Sequence, residues 1–115
     1  MANTRDQGLL VLTTPFINVH LKEIVELAAK QGIVAVYEHA GFVEAGGLMS
    51  YGGNSRERTR RAAFLVDKIL KGAKPGDLPV EEQMKFDLVI NMKTAKALRL
   101  TIPQTFLLQA DKVIE

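Results

Sequence analysis

The chain has 115 residues, 47% hydrophobic and 24% charged, the balance of an ordinary globular protein long enough to bury a core without disulfide or metal staples. Its 15 basic and 13 acidic residues leave a net charge of +2, too weak a field for an obligate nucleic-acid binder. Without cysteine, it is expected to have no disulfide, no thiolate catalysis, no cysteine metal site and no lipid anchor on an N-terminal cysteine.

The opening Met-Ala-Asn-Thr-Arg-Asp-Gln-Gly lacks the apolar run of about 7–15 residues that a secretory signal needs. No stretch approaches the ~20 apolar residues of a membrane helix. As written, the chain is expected to stay in the cytoplasm and not to insert into a membrane. Leu9–Leu12 is a short apolar run closed by Thr13, Thr14 and Pro15 and reads as a strand buried on both faces. Asn18 is a suitable cap for a helix over about Val19–Gln31, with Leu21, Ile24, Val25 and Ala28 as its apolar stripe. Gly32 is a good left-handed stop. Ile33–Tyr37 is a second strand, which completes a parallel crossover unit.

Glu38–Gly47 reads as a glycine-rich loop, Leu48–Tyr51 as a short third strand, and Gly52-Gly53-Asn54-Ser55 as its break. Ser55 then caps a helix over about Arg56–Lys71, ended by Gly72. Residues Gly72–Gln83 form a polar connection. Phe86–Ile90 is a fourth strand, Asn91 caps a short helix over Lys93–Leu98, and Pro103 opens a last helix near Gln104–Ala110. The fold class is α/β, with a parallel or mixed sheet of about four strands flanked by helices.

Two places suit a ligand. Glycines in Gly46–Gly53 let backbone approach a bound molecule, and open α/β sheets bind at the carboxyl ends of their strands; the alternative is a flexible turn. The segment is not a phosphate loop, because Gly53 is followed by Asn54-Ser55-Arg56 rather than Gly-Lys-Ser/Thr. Thr13, Thr14, Pro15 and Phe16 follow the first strand, and Tyr37 and Glu38 close the second. In a parallel sheet these ends open on one edge, where hydroxyls and rings suit a small polar or aromatic molecule; ordinary loop capping is the alternative. His20 and His39 are isolated and do not make a metal site. Arg56, Arg58, Arg60 and Arg61 crowd a helix start, facing either an anion or solvent. No acid, base and nucleophile can be assembled, so no catalytic residue, metal or cofactor is expected.

The stretch Phe42-Val-Glu-Ala-Gly-Gly-Leu-Met-Ser-Tyr-Gly-Gly53, followed by Val66–Pro75, Asp77–Val80, Lys85–Asn91 and Lys93–Leu98, resembles the late segment of a family of bacterial ABC-transporter solute-binding proteins. The resemblance covers nearly everything from about Leu9 to Glu115, and family members are much longer. It implies a partial type I periplasmic-binding-protein-like fold. Residues 1–115 would form a single α/β domain corresponding to the C-terminal part of a two-lobed protein, with most of one lobe missing. It implies that Ser50, Tyr51 and Gly52 lie near the ligand or the hinge, although Gly53 stands where members often have proline.

The resulting ligand set is Thr14, Pro15, Tyr37, Glu38, Ser50, Tyr51 and Gly52. The implied function is non-enzymatic binding of a small, amino-acid-like organic solute, in a transport component or a truncated remnant of one. An ABC permease would be the partner, and the periplasm the location, only for a full-length protein. Orphan apolar faces imply self-association as a dimer. The alternative is a cytoplasmic, self-associating interaction module on an α/β core. An enzyme using the arginines and the Gly52-Gly53 turn has the least support.

Overall fold

The computed structural model describes residues 8–115; the reading of the extreme amino terminus lies outside them. Five strands form one sheet in the order β1-β2-β3-β4-β5. They are β1 (Leu9–Val11), β2 (Ala35–Tyr37), β3 (Met49–Gly53), β4 (Phe86–Asn91) and β5 (Lys112–Ile114). The β1/β2, β2/β3 and β4/β5 pairs are parallel, so the expected α/β class with a mostly parallel sheet is borne out. The strand count is five rather than about four. β5 has only three residues, too few to show a period, and it is recruited through its neighbour. Asp111 Oδ2 accepts from the Leu88 amide at 2.8 Å, and the Asp111 amide donates to the Leu88 carbonyl at 2.8 Å.

The helices are α1 (Pro15–Val19), α2 (Leu21–Lys30), α3 (Ala40–Glu44), α4 (Ser55–Leu70), α5 (Met92–Ala97) and α6 (Gln104–Gln109). The helix expected over Val19–Gln31 is α2, and a short helix that was not expected, α1, precedes it. Thr14 Oγ1 accepts from the Ile17 amide at 3.2 Å with Pro15 at the first helical position, which starts α1 early. His20, at φ −97° and ψ 17°, separates the two. Asn18 therefore caps nothing; its Oδ1 meets His39 Nε2 at 2.8 Å. The loop expected over Glu38–Gly47 contains α3, whose amide at Gly41 donates to His39 Nδ1 at 3.2 Å. Five residues give too little periodicity to be seen, but Phe42 and Val43 on α3 are fully buried.

The other stops, and the cap at Asn91, are where the sequence puts them. Gly32 has φ 63° and Gly72 has φ 106°, the left-handed conformation that suits glycine. Asn91 Oδ1 accepts from the Thr94 amide at 3.2 Å, capping α5, while its Nδ2 donates to the Val43 carbonyl at 3.3 Å. Asn54, one residue before the expected Ser55, caps α4 by accepting from the Glu57 amide at 3.0 Å.

The described residues divide into two compact units, one running up to Gly52 and resuming at Asp87–Glu115, the other being Gly53–Phe86. In the first, Val11, Val25, Ala28, Ala35, Tyr37 and Phe42 form a buried cluster flanked by Leu9, Ile17, Leu21 and Ile24. Leu88, Val89 and Ile90 of β4 are buried in succession, as expected of a strand covered on both faces. The second unit holds α4, a 3₁₀ turn at Pro75–Asp77 and the segment leading to β4, and none of its residues is buried.

Candidate functional site

Register fixes which residues meet at the sheet's carboxyl edge. Val11 lies beside Tyr37, and Tyr37 beside Ser50. These three stand in one row across parallel strands, so the chain leaves β1, β2 and β3 on the same side. Thr13, Thr14 and Pro15 follow the row on β1, Glu38 and His39 on β2, and Tyr51 and Gly52 on β3.

Specific contacts hold this edge together. Glu38 Oε2 accepts from the Thr13 amide at 2.6 Å, a charge-assisted bond across the first two loops. His39 ties the same loops a second time. Its Nδ1 accepts from the Gly41 amide, so the ring proton sits on Nε2, which donates to Asn18 Oδ1. A Cβ built on Gly52 would lie 1.7 Å from the Glu38 carbonyl oxygen, so only glycine lets β3 pass this close to β2. Thr13 Oγ1 is buried and finds no hydrogen-bond partner, leaving a hydroxyl with unspent bonding capacity.

The sequence-derived residues divide by depth. Thr14, Pro15, Glu38 and Tyr51 are exposed at the edge, and Gly52 is half-buried. Tyr51 is 60% and Phe16 72% exposed, the Phe16 ring lying 4.7 Å from that of His20. Tyr37 and Ser50 lie one row deeper, each 1% exposed. The Tyr37 ring stacks on Phe42 at 4.9 Å, and burial holds its phenol above the ordinary tyrosine range, hence neutral. These two side chains form the floor beneath the edge.

Two residues that the sequence left outside any ligand site, Asn18 and His39, lie with Thr13 at the same place. The available signal was positional: each lies within a few residues of a strand's carboxyl end or on the first helix after it. Conversely, the arginine run does not converge. Arg61 forms a forked ion pair with Glu81 and lies 4.4 Å over the Phe64 ring, while Arg56, Arg58 and Arg60 are exposed.

Chemically, the edge offers hydroxyls, a carboxylate, an imidazole and exposed rings around a backbone that glycine keeps open. That set can hold a small molecule with both polar and apolar parts. The core gap lined by Val25, Ala28, Tyr37 and Leu48 measures about 10 Å³, room for no more than one water, so an organic solute has no place there. Among the described residues no group of three or more His, Asp or Glu side chains is placed to hold a metal ion. Among them, too, no helix is long and apolar enough to cross a membrane.

The family model described as "ABC transporter substrate binding protein" matches residues 2–114. Among solved structures, a conserved domain protein from Vibrio cholerae O1 biovar El Tor is 26% identical, with a TM-score of 0.87 over 95% of this chain and 37% of that chain. The ABC domain from Streptococcus pneumonia, solved in complex with L-Trp, is 28% identical, with a TM-score of 0.88 over 96% of this chain and 37% of that one. A ligand-free, open substrate-binding protein with adhesive properties from Clostridium difficile is 24% identical, with a TM-score of 0.64 over 93% and 36% of the respective chains; at that identity it shows the fold alone. The chain thus spans 37% of the length of the first two structures. Comparison with curated proteins gives no match.

Proposed function

The chain belongs to the ABC transporter substrate-binding protein family, and from that premise we propose that it binds a small amino-acid-like solute at the carboxyl edge of β1–β3. The observation that carries this reading is the register. It brings Thr14, Pro15, Glu38, Tyr51 and Gly52 to one edge, above Tyr37 and Ser50. The L-Trp held by the Streptococcus protein supports a zwitterion with an aromatic or bulky apolar part. Loop amides, the Thr14 hydroxyl and the Glu38 carboxylate suit the polar end, and the exposed rings of Phe16 and Tyr51 suit the apolar one.

The role is recognition rather than catalysis. In the complete protein, the residues here would form part of a two-lobed clamp that closes on its solute and hands it to an ABC permease, working in the periplasm. Residues 1–115 would supply the C-terminal part of that clamp.

Isothermal titration of the chain against the common L-amino acids, L-Trp included, tests the proposal. We expect saturable heat with at least one apolar or aromatic member, and an affinity lowered about tenfold by Tyr51→Ala, the loss of one ring contact. No binding across the panel, or binding indifferent to both Tyr51→Ala and Thr14→Ala, overturns it.

A second reading, a self-associating interaction module, is favoured by a different observation: the unit Gly53–Phe86 buries none of its residues.

A further inference from the structure

Both ring nitrogens of His39 are built into the carboxyl edge. Nδ1 accepts from the Gly41 amide at 3.2 Å, and Nε2 donates to Asn18 Oδ1 at 2.8 Å. The first bond caps α3 and the second holds α1, so one imidazole joins the helices that follow β2 and β1. A backbone N–H can only donate, so the cap needs an Nδ1 without a proton. The joint is complete with the neutral ring alone.

A proton on Nδ1 would set a donor against the Gly41 N–H. It would also place a cation at the amino end of α3, where the helix dipole opposes it. α3 has five residues and no acidic side chain in its first turn, so nothing else on the helix answers that charge. The neighbouring elements do not answer it either. α1 carries no titratable side chain. On α2, Glu23 lies 3.3 Å from His20 Nδ1, while Lys22, Glu26 and Lys30 are exposed. On α3, Glu44 pairs with Lys112 at 3.0 Å, and on the loop after β2, Glu38 accepts from the Thr13 amide. Among the described residues no carboxylate forms an ion pair with His39. His20 thus has a carboxylate to meet when protonated, and His39 has none.

α3 also reaches the floor of the edge. Its Phe42 is fully buried, 4.8 Å from the imidazole and 4.9 Å from the Tyr37 ring. We propose that His39 is a proton-sensitive positioning residue: as the neutral imidazole it holds α1 and α3 around the carboxyl edge, and its protonation frees α3 and weakens what the edge binds. What is bound there rests on the function proposed above; the joint itself does not. The consequence is a site that holds its solute near neutral pH and loosens over the acid range in which imidazoles ordinarily charge.

The chain has no tryptophan, so the fluorescence of added L-Trp reports its binding, measured at about pH 8 and about pH 5. We expect the Kd to rise about fivefold at the lower pH, the loss of one helix cap. His39→Asn keeps an oxygen for Gly41 that takes up no proton, but loses the bond to Asn18. It is expected to bind more weakly than the wild type at the higher pH, with the same Kd at both. His20→Gln is expected to keep the wild-type response. NMR on the same samples follows the Gly41 amide, which is expected to shift together with the His39 ring in the wild type and to stay fixed in His39→Asn. A wild-type Kd indifferent to pH, or an equal rise in His39→Asn, overturns the proposal. If L-Trp binds at neither pH, the solute reading fails and the NMR decides the joint: a Gly41 amide that titrates with His39 upholds it, and one indifferent to that ring overturns it.

Discussion

Tyr37 shows how a residue can be read correctly by position and still play a different part. The sequence places it at the end of a strand, and it is there. Its ring, however, is turned into the core against Phe42 at 4.9 Å, a contact between residues that no local pattern links. Burial raises its pKa above 10.0, which has a consequence for stability. Below pH ~10 the phenol is neutral in both folded and unfolded chains. Above that value the unfolded chain ionises first, so folding stability is fully present below pH ~10 and falls as pH rises toward the raised folded value. Urea titrations from pH 9 to 11 are expected to show this loss, and Tyr37→Phe to reduce it; an identical alkaline loss in the variant would contradict the assignment. Gly52 is the opposite case. Its place in a Gly-rich break was visible, but the reason for glycine, the Glu38 carbonyl 1.7 Å from any added Cβ, exists only once β2 and β3 are side by side.

At the scale of elements, the long and strongly patterned segments were legible. The stripe of Leu21, Ile24, Val25 and Ala28 faces the core as expected, and Gly32 and Gly72 stop their helices. The short elements were not, because three to five residues carry too little periodicity. α3 is the instructive example. It is held by a histidine cap rather than by propensity, and that same histidine reaches Asn18. His39→Ala removes both bonds, and we expect it to cost about 1–2 kcal/mol in urea unfolding. His39→Asn keeps a capping oxygen for Gly41 and should recover part of the loss. Equal loss in both variants would place the effect in the contact with Phe42, 4.8 Å from the imidazole, instead of the cap.

For the whole molecule, the two units should differ in local stability. The first buries twelve hydrophobic residues, whereas Gly53–Phe86 buries none, and local opening is governed by buried apolar contact. In hydrogen exchange, amides of β4 should therefore be the slowest and those of α4 faster by about a hundredfold or more at low protein concentration. Uniform protection across both units would contradict this.

The α/β class, the first four strands with their parallel character, the longer helices and the family were legible in the sequence alone. Hydrophobic runs, glycine stops and a long local motif are properties of contiguous residues, and contiguity is what a sequence displays. Tertiary structure decided which of the candidate residues reach solvent and which lie beneath. It also added Asn18 and His39 to the edge and left α4 with no buried residue. Each of these depends on residues far apart in the chain being brought into register, and no local pattern encodes that meeting.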